Sequence, residues 1–122
     1  MTITGIDHVQ VAAPIGGEDD TRRFYGEVLG LVEIEKPDAL KERGGVWFAA
    51  GMQQLHVGAD PQFAPARKAH PAFTVPEGEL SELAARLQLT GVPTAWDNES
   101  IPGVRRFHAH DPFGNRLEFI GV

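Results

Sequence analysis

The chain contains no cysteine. That excludes disulfides and thiolate metal sites and leaves the redox compartment unread. No apolar run approaches the roughly 18–20 residues of a membrane-spanning helix. The start, Met1-Thr2-Ile3-Thr4, lacks the basic and apolar regions of a signal peptide. Positive charge is scarce: 11 Lys+Arg against 17 Asp+Glu leave a net charge of −6. Nucleic acid and anionic membranes both require a basic face, so neither is expected as a partner. There is no Gly-rich phosphate loop, no Ser/His/Asp signature and no interleaving of aromatic with basic residues. These absences leave a soluble, cytoplasmic protein with a small-molecule partner as the expectation. At 122 residues, 42% of them hydrophobic, the chain is long enough to bury a single-domain core.

What is present is a pair of matched spacings. His8 lies 48 residues before His56 (56 − 8 = 48), and His70 lies 48 residues before Glu118 (118 − 70 = 48). The second pair is the first displaced by 62, since 8 + 62 = 70 and 56 + 62 = 118. Imidazole nitrogen and carboxylate oxygen both bind divalent metals. Each of the four residues sits in a short run flanked by apolar residues. The spacing therefore reads as a duplicated unit that offers one ligand from its first strand and one from its last.

Hydrophobic periodicity supports the duplication. Alternation predicts a strand over residues 3–13, with Val9 and Val11 on one face and His8 and Gln10 on the other. Phe24, Val28 and Leu29 predict a helix over 22–29, stopped by Gly30. Strands follow over 31–34, 46–50 and 53–58, with the charged stretch 35–43 expected as a solvated loop. Residues 60–68, containing Pro61 and Pro65, read as a linker. The second half replays the order. A strand is expected over 69–75, irregular at Pro71, which has no N–H to donate. A helix over 79–89 carries the stripe Leu80, Leu83 and Leu87. Strands over 92–96, 104–110 and 116–120 complete it, the last preceded by the turn Asp111-Pro112-Phe113-Gly114-Asn115. The fold class is α+β, two βαβββ modules spanning 3–58 and 69–121 of one domain.

If the apolar faces bury against the helices, His8, His56, His70 and Glu118 all lie on the opposite side, where a curved sheet would gather them in one concave site. Three imidazoles and one carboxylate suit Zn, Ni, Fe, Co or Mn as the divalent cofactor. Four ligands can close a tetrahedral structural zinc site, or form part of an octahedral one open to a substrate's adjacent oxygens. Glu118 is also a candidate catalytic base. Arg106, His108 and His110 alternate on one strand face. Arg106 can hold a carboxylate or phosphate, and His108 is a candidate substrate contact or acid–base partner. Gln10, Gln54 and Trp47 are candidate substrate-binding residues, Trp47 being equally suited to the core.

Three stretches, Gly5-Ile6-Asp7-His8-Val9, Phe24-Tyr25 with Leu29-Gly30-Leu31, and Asp111-Pro112-Phe113-Gly114-Asn115-Arg116-Leu117-Glu118, resemble the vicinal oxygen chelate superfamily. That group includes glyoxalase I, fosfomycin-resistance and bleomycin-resistance proteins and extradiol dioxygenases. The resemblance implies eight strands in an incompletely closed cup around a metal. It also implies a homodimer with cups at the subunit interface. His8, His70 and Glu118 match the family's ligand positions, and His56 falls at the corresponding last-strand position of the first module. Two functions stay open. One is a metal-dependent lyase, isomerase, dioxygenase or thiol transferase acting on a small oxygen-rich molecule. The other is a metal-free small-molecule or antibiotic-binding protein of the bleomycin-resistance type.

Overall fold

The computed structural model describes residues 2–122. They form two compact units, the first ending at Ala64 and the second running from Pro65 to Val122. Unit 1 contains β1 (His8–Ala13), α1 (Glu18–Thr21) continuing directly into a π-helical segment (Arg22–Val28), β2 (Val32–Ile34), α2 (Asp38–Lys41), β3 (Val46–Ala50) and β4 (Gln53–Ala59). Unit 2 contains β5 (Ala72–Val75), a 3₁₀ turn (Glu77–Glu79) leading into α3 (Leu80–Leu89), β6 (Ala95–Asp97), β7 (Arg106–His110) and β8 (Arg116–Gly121). Each unit makes one four-stranded mixed sheet, ordered β1-β4-β3-β2 and β5-β8-β7-β6. The first and last strands of each unit are parallel neighbours, and the remaining pairs are antiparallel. This is the expected strand–helix–strand–strand–strand order, and neither sheet closes on itself. Among the described residues no helix is long and apolar enough to cross a membrane.

Local chemistry explains the elements. Glu18, Asp19 and Asp20 fill the first turn of α1, where the helix dipole favours negative charge. Gly30 ends the helical segment at φ +79°, a conformation other residues adopt at a cost. Tyr25, Phe48, Leu55 and Val57 form the buried core of unit 1, and Leu80, Leu87, Phe107, Leu117 and Phe119 that of unit 2. Full burial of such side chains contributes about 1.5–3 kcal/mol each.

Three local expectations are corrected. The stretch 35–43 is not all loop, since Asp38–Lys41 forms a helical turn whose Asp38 and Lys41 pair at 2.8 Å, three residues apart. Val9 is 38% exposed rather than core, because β1 is an edge strand and burial rises only toward Ala13. The strand expected from residue 69 begins at Ala72, because Pro71 cannot donate to the ladder. Its carbonyl accepts from Glu118 N at 3.0 Å, so His70 sits just ahead of the strand.

The hairpins set the register between the repeats. In unit 1, Ala50 pairs with Gln53 across Gly51-Met52. In unit 2 the Asp111 amide donates to the Asn115 carbonyl across the three residues Pro112-Phe113-Gly114. The extra residue shortens the repeat offset on the penultimate strand from 62 to 61. Trp47 faces His56, and its counterpart, His108 (47 + 61 = 108), faces Glu118.

Candidate metal centre

Unit 2 brings His70, His108 and Glu118 together, with one ligand atom from each lying within 4.8 Å of the others. Strand alternation and register account for this. Ala72 and His108 flank Glu118 from the two neighbouring strands, and His70 precedes Ala72 by two residues, on the same side. The turn before β8 is fixed by the buried Asp111 carboxylate. It accepts from the Phe113 and Asn115 amides, both at 2.9 Å, and from Asn115 Nδ2 at 2.8 Å. Gly114 takes φ +92°.

Glu118 is the hub. Its Oε1 lies 3.0 Å from His70 Nε2 and 3.2 Å from His108 Nε2, and its Oε2 accepts from Arg106 Nη1 at 3.1 Å. Arg106 Nη2 in turn donates to Asp97 Oδ2 at 2.8 Å. The Asp97 carboxylate is fixed by the backbone amides of Ser100 and Glu99. Those amide bonds, Ser100 foremost, and Arg106 hold the Asp97 carboxyl far below its usual range. Burial alone would raise the Glu118 carboxyl. The hydrogen bonds from His70 and Arg106 and the nearby positive charges outweigh it, so the net shift is downward. His108 is shifted down, chiefly by burial and then by the charge of Arg116, which favours the neutral imidazole that binds metals. Arg106 Nε is buried without a hydrogen-bond partner among the described residues.

The donors fit a divalent ion. His70 Nδ1 donates to the Lys68 carbonyl at 2.8 Å, so Nε2 donates to Glu118 Oε1 only in the protonated ring, and in the neutral ring it turns a lone pair toward that oxygen. Two such acceptors approach this closely when a proton or cation serves both. Ligands about 2.1 Å from an ion at right angles stand about 3.0 Å apart, the spacing seen around Oε1. Two imidazoles and one carboxylate match the facial set that leaves coordination positions open. The second carboxylate oxygen is hydrogen-bonded, as ligating carboxylates usually are.

Unit 1 brings the other expected ligands together differently. The His8 and His56 rings are stacked, centroids 4.1 Å apart and planes at 15°, and His56 stacks on Trp47 at 3.8 Å and 4°. The lone pairs of stacked rings run side by side rather than converge. His56 Nε2 is 2.8 Å from Gln54 Oε1, and His8 Nδ1 is 3.0 Å from Asp7 Oδ2. Burial, then the positive potential of His8, lowers the pKa of the buried His56. Gln10 shares this face as the register partner of His56.

Residues 5–119 match the family model of the Glyoxalase/Bleomycin resistance protein/Dioxygenase superfamily. The chain belongs to this superfamily. A search of curated proteins finds no match. Among solved structures, a glyoxalase family protein from Bacillus anthracis is 49% identical, with a TM-score of 0.93 over 99% of this chain and 97% of that one. A lactoylglutathione lyase from Agrobacterium tumefaciens, 21% identical, aligns with a TM-score of 0.76 over 99% and 96%. The fosfomycin resistance protein FosX from Listeria monocytogenes, 16% identical, aligns at 0.80 over 99% and 95%. A mutant of that FosX was solved with Mn(II) and a dihydroxypropylphosphonic acid. The latter two likenesses bear on the glyoxalase-like fold alone.

Within this superfamily chain, sequence reasoning gave His108 a substrate or acid–base role and missed that it joins the ligand cluster. The signal was the turn before β8, one residue longer than its counterpart. Arg106 was expected to hold substrate, but its two Nη atoms are engaged by Glu118 and Asp97. Asp97 was not singled out, because only the β6–β7 register, Asp97 opposite Arg106, gives it a role.

Proposed function

We propose that the chain is a metal-dependent enzyme of the superfamily acting on a small oxygen-rich molecule, with His70, His108 and Glu118 holding one divalent ion. The supporting observation is a single carboxylate oxygen 3.0 and 3.2 Å from two imidazole nitrogens. Zn, Ni, Fe(II), Co and Mn all suit this donor set. When bound, the ion supplies Lewis-acid polarisation of adjacent substrate oxygens. That is the chemistry shared by lyase, isomerase, dioxygenase and thiol-transfer reactions in the group.

The chain's own residues then divide the work. Arg106 keeps Oε2 of Glu118 occupied and directs Oε1 toward the imidazoles. The lowered pKa of Glu118 suits a ligand better than a base working near neutral pH. His108 is a ligand too, and its lowered pKa favours the neutral imidazole that this role needs. Gln10, Gln54 and Trp47 remain proposed substrate contacts on the face of unit 1. A cytoplasmic homodimer completes the proposal; the dimer is supported by exposed Ile3 and Ile6 just ahead of the edge strand β1 and by Val9 on it.

Elemental analysis of protein purified without chelator tests the reading. About one divalent ion per chain is expected, lost in His70→Ala. His8→Ala and His56→Ala, measured alongside, report whether the sequence-matched pair also contributes. Absence of metal, with no thermal shift across divalent salts, refutes the proposal. The His8–His56–Trp47 stack favours a second reading, a metal-free binding protein. That reading requires calorimetric binding of a planar cationic ligand that a chelator leaves unchanged.

A further inference from the structure

Arg116 is used by neither the core nor the ligand network. It lies on β8 two residues before Glu118, so alternation puts both side chains on the same face. It is half-buried. Among the described residues it has no acidic partner, although the chain carries a net charge of −6. Other arginines have found carboxylates: Arg22 with Glu33, Arg23 with Asp20, Arg105 with Glu77, and Arg106 with Asp97 and Glu118.

Arg116 shares its face of β8 with one acid, Glu118, which Arg106 already engages. Its cross-strand partner on β7 is His110. Carrying the β5–β8 register back two residues from Ala72 and Glu118 places His70 opposite Arg116 on the other side (72 − 2 = 70; 118 − 2 = 116). The equivalent residue of unit 1 is Gln54 (54 + 62 = 116), whose amide oxygen is engaged by His56. Arg116 thus replaces a neutral, engaged side chain with a cation that lacks a counter-ion.

We propose that Arg116 anchors an oxyanion of the substrate, a carboxylate or phosphonate, while the substrate's adjacent oxygens meet the ion held by His70, His108 and Glu118. The inference rests on the metal reading and deepens it by naming the substrate class: a small chelating compound that also carries an anionic group. Two residues along a strand span about 6.6 Å. The anionic group therefore sits on the same face as the chelating pair, displaced from it along β8 toward the turn. A guanidinium fork recognises carboxylate and phosphonate oxygens in pairs, and a half-buried one does so with little competition from water.

The test uses Co(II)-loaded protein and follows the cobalt absorption spectrum during titration. The probes are benzohydroxamate, its 3- and 4-carboxy derivatives, their methyl esters, and the 4-phosphono analogue. Wild type is expected to bind at least one acid about 5- to 20-fold tighter than its neutral counterpart. Arg116→Gln should lose that preference, while unsubstituted benzohydroxamate binds both proteins alike. The tighter of the carboxy and phosphono arms identifies the oxyanion. A wild type with no preference for any acid, or a preference that persists in Arg116→Gln, overturns the anchor while leaving the metal site standing. If no hydroxamate perturbs cobalt in either protein, the metal reading falls and the anchor with it.

Discussion

Replacing Glu118 with Gln alters the hub of the unit 2 network without altering its shape. The carboxylate offers Oε1 to two imidazoles and Oε2 to Arg106. An amide must give one of those places to an NH₂. Turned toward Arg106 it sets donor against donor. Turned toward the imidazoles it removes the ligand atom. Removing the single charged ligand should weaken metal binding by at least about 100-fold, the upper end of what supporting residues alone contribute. An ion at 100 times its Kd stabilises the folded protein by about 2.7 kcal/mol, and at a concentration equal to Kd by about 0.4 kcal/mol. For a domain of this size, 1 kcal/mol moves Tm by about 3–5 °C. Wild type at such a metal concentration should therefore melt about 8–14 °C above its chelator-treated form, and Glu118→Gln about 1–2 °C above. Differential scanning fluorimetry with and without EDTA reads both shifts. A Glu118→Gln protein that keeps the full metal-induced shift would refute the assignment of this carboxylate.

Other outcomes follow from the same geometry. Arg106→Gln frees Oε2 and should lower metal affinity about 10- to 100-fold by calorimetry, with Asp97→Asn in the same direction and smaller. Folding should depend on pH through His56 and His108, whose folded pKa values lie below the ordinary 6.5. Stability of the metal-free protein is then fully present above about pH 6.5 and declines as pH falls through the lowered values, because the unfolded chain binds more protons. Urea titrations at pH 7.5 and 5.5 check the sign, and His56→Gln should flatten the decline. Gly45→Ala should destabilise by about 2–4 kcal/mol, since φ is +86° and a Cβ would run into the Val57 carbonyl. Phe107→Ala, fully buried beside Trp96 and Phe119, should cost about 3–5 kcal/mol in denaturant unfolding.

The modular order was legible because each element announces itself locally. Val46-Trp47-Phe48-Ala49-Ala50 occupies the span that its apolar run predicts. The Leu80, Leu83, Leu87 stripe forms the buried side of α3. The pairing of His70 with Glu118 was visible because first and last strands are parallel neighbours in each unit, so a repeat spacing becomes a spatial contact. What escaped depends on register. Whether His108 points at Glu118 is decided by how many residues a turn consumes. Whether Arg106 meets substrate or a carboxylate is decided by which residue of β6 lies across from it. Val9 carries the right hydrophobicity for a core position, but its place on an edge strand leaves it exposed.

The three-residue turn before β8 has a consequence for how the two halves came to differ. The added residue is taken up in the turn, so the core alternation is kept: buried Val46 and Phe48 of β3 correspond at the 61-residue offset to buried Phe107 and Ala109 of β7. Trp47 and His108 occupy equivalent places on the other face, and an aromatic wall in one copy stands where the other copy holds a potential ligand. A duplicated sheet can in this way acquire chemistry on one side through a change at one position outside its core.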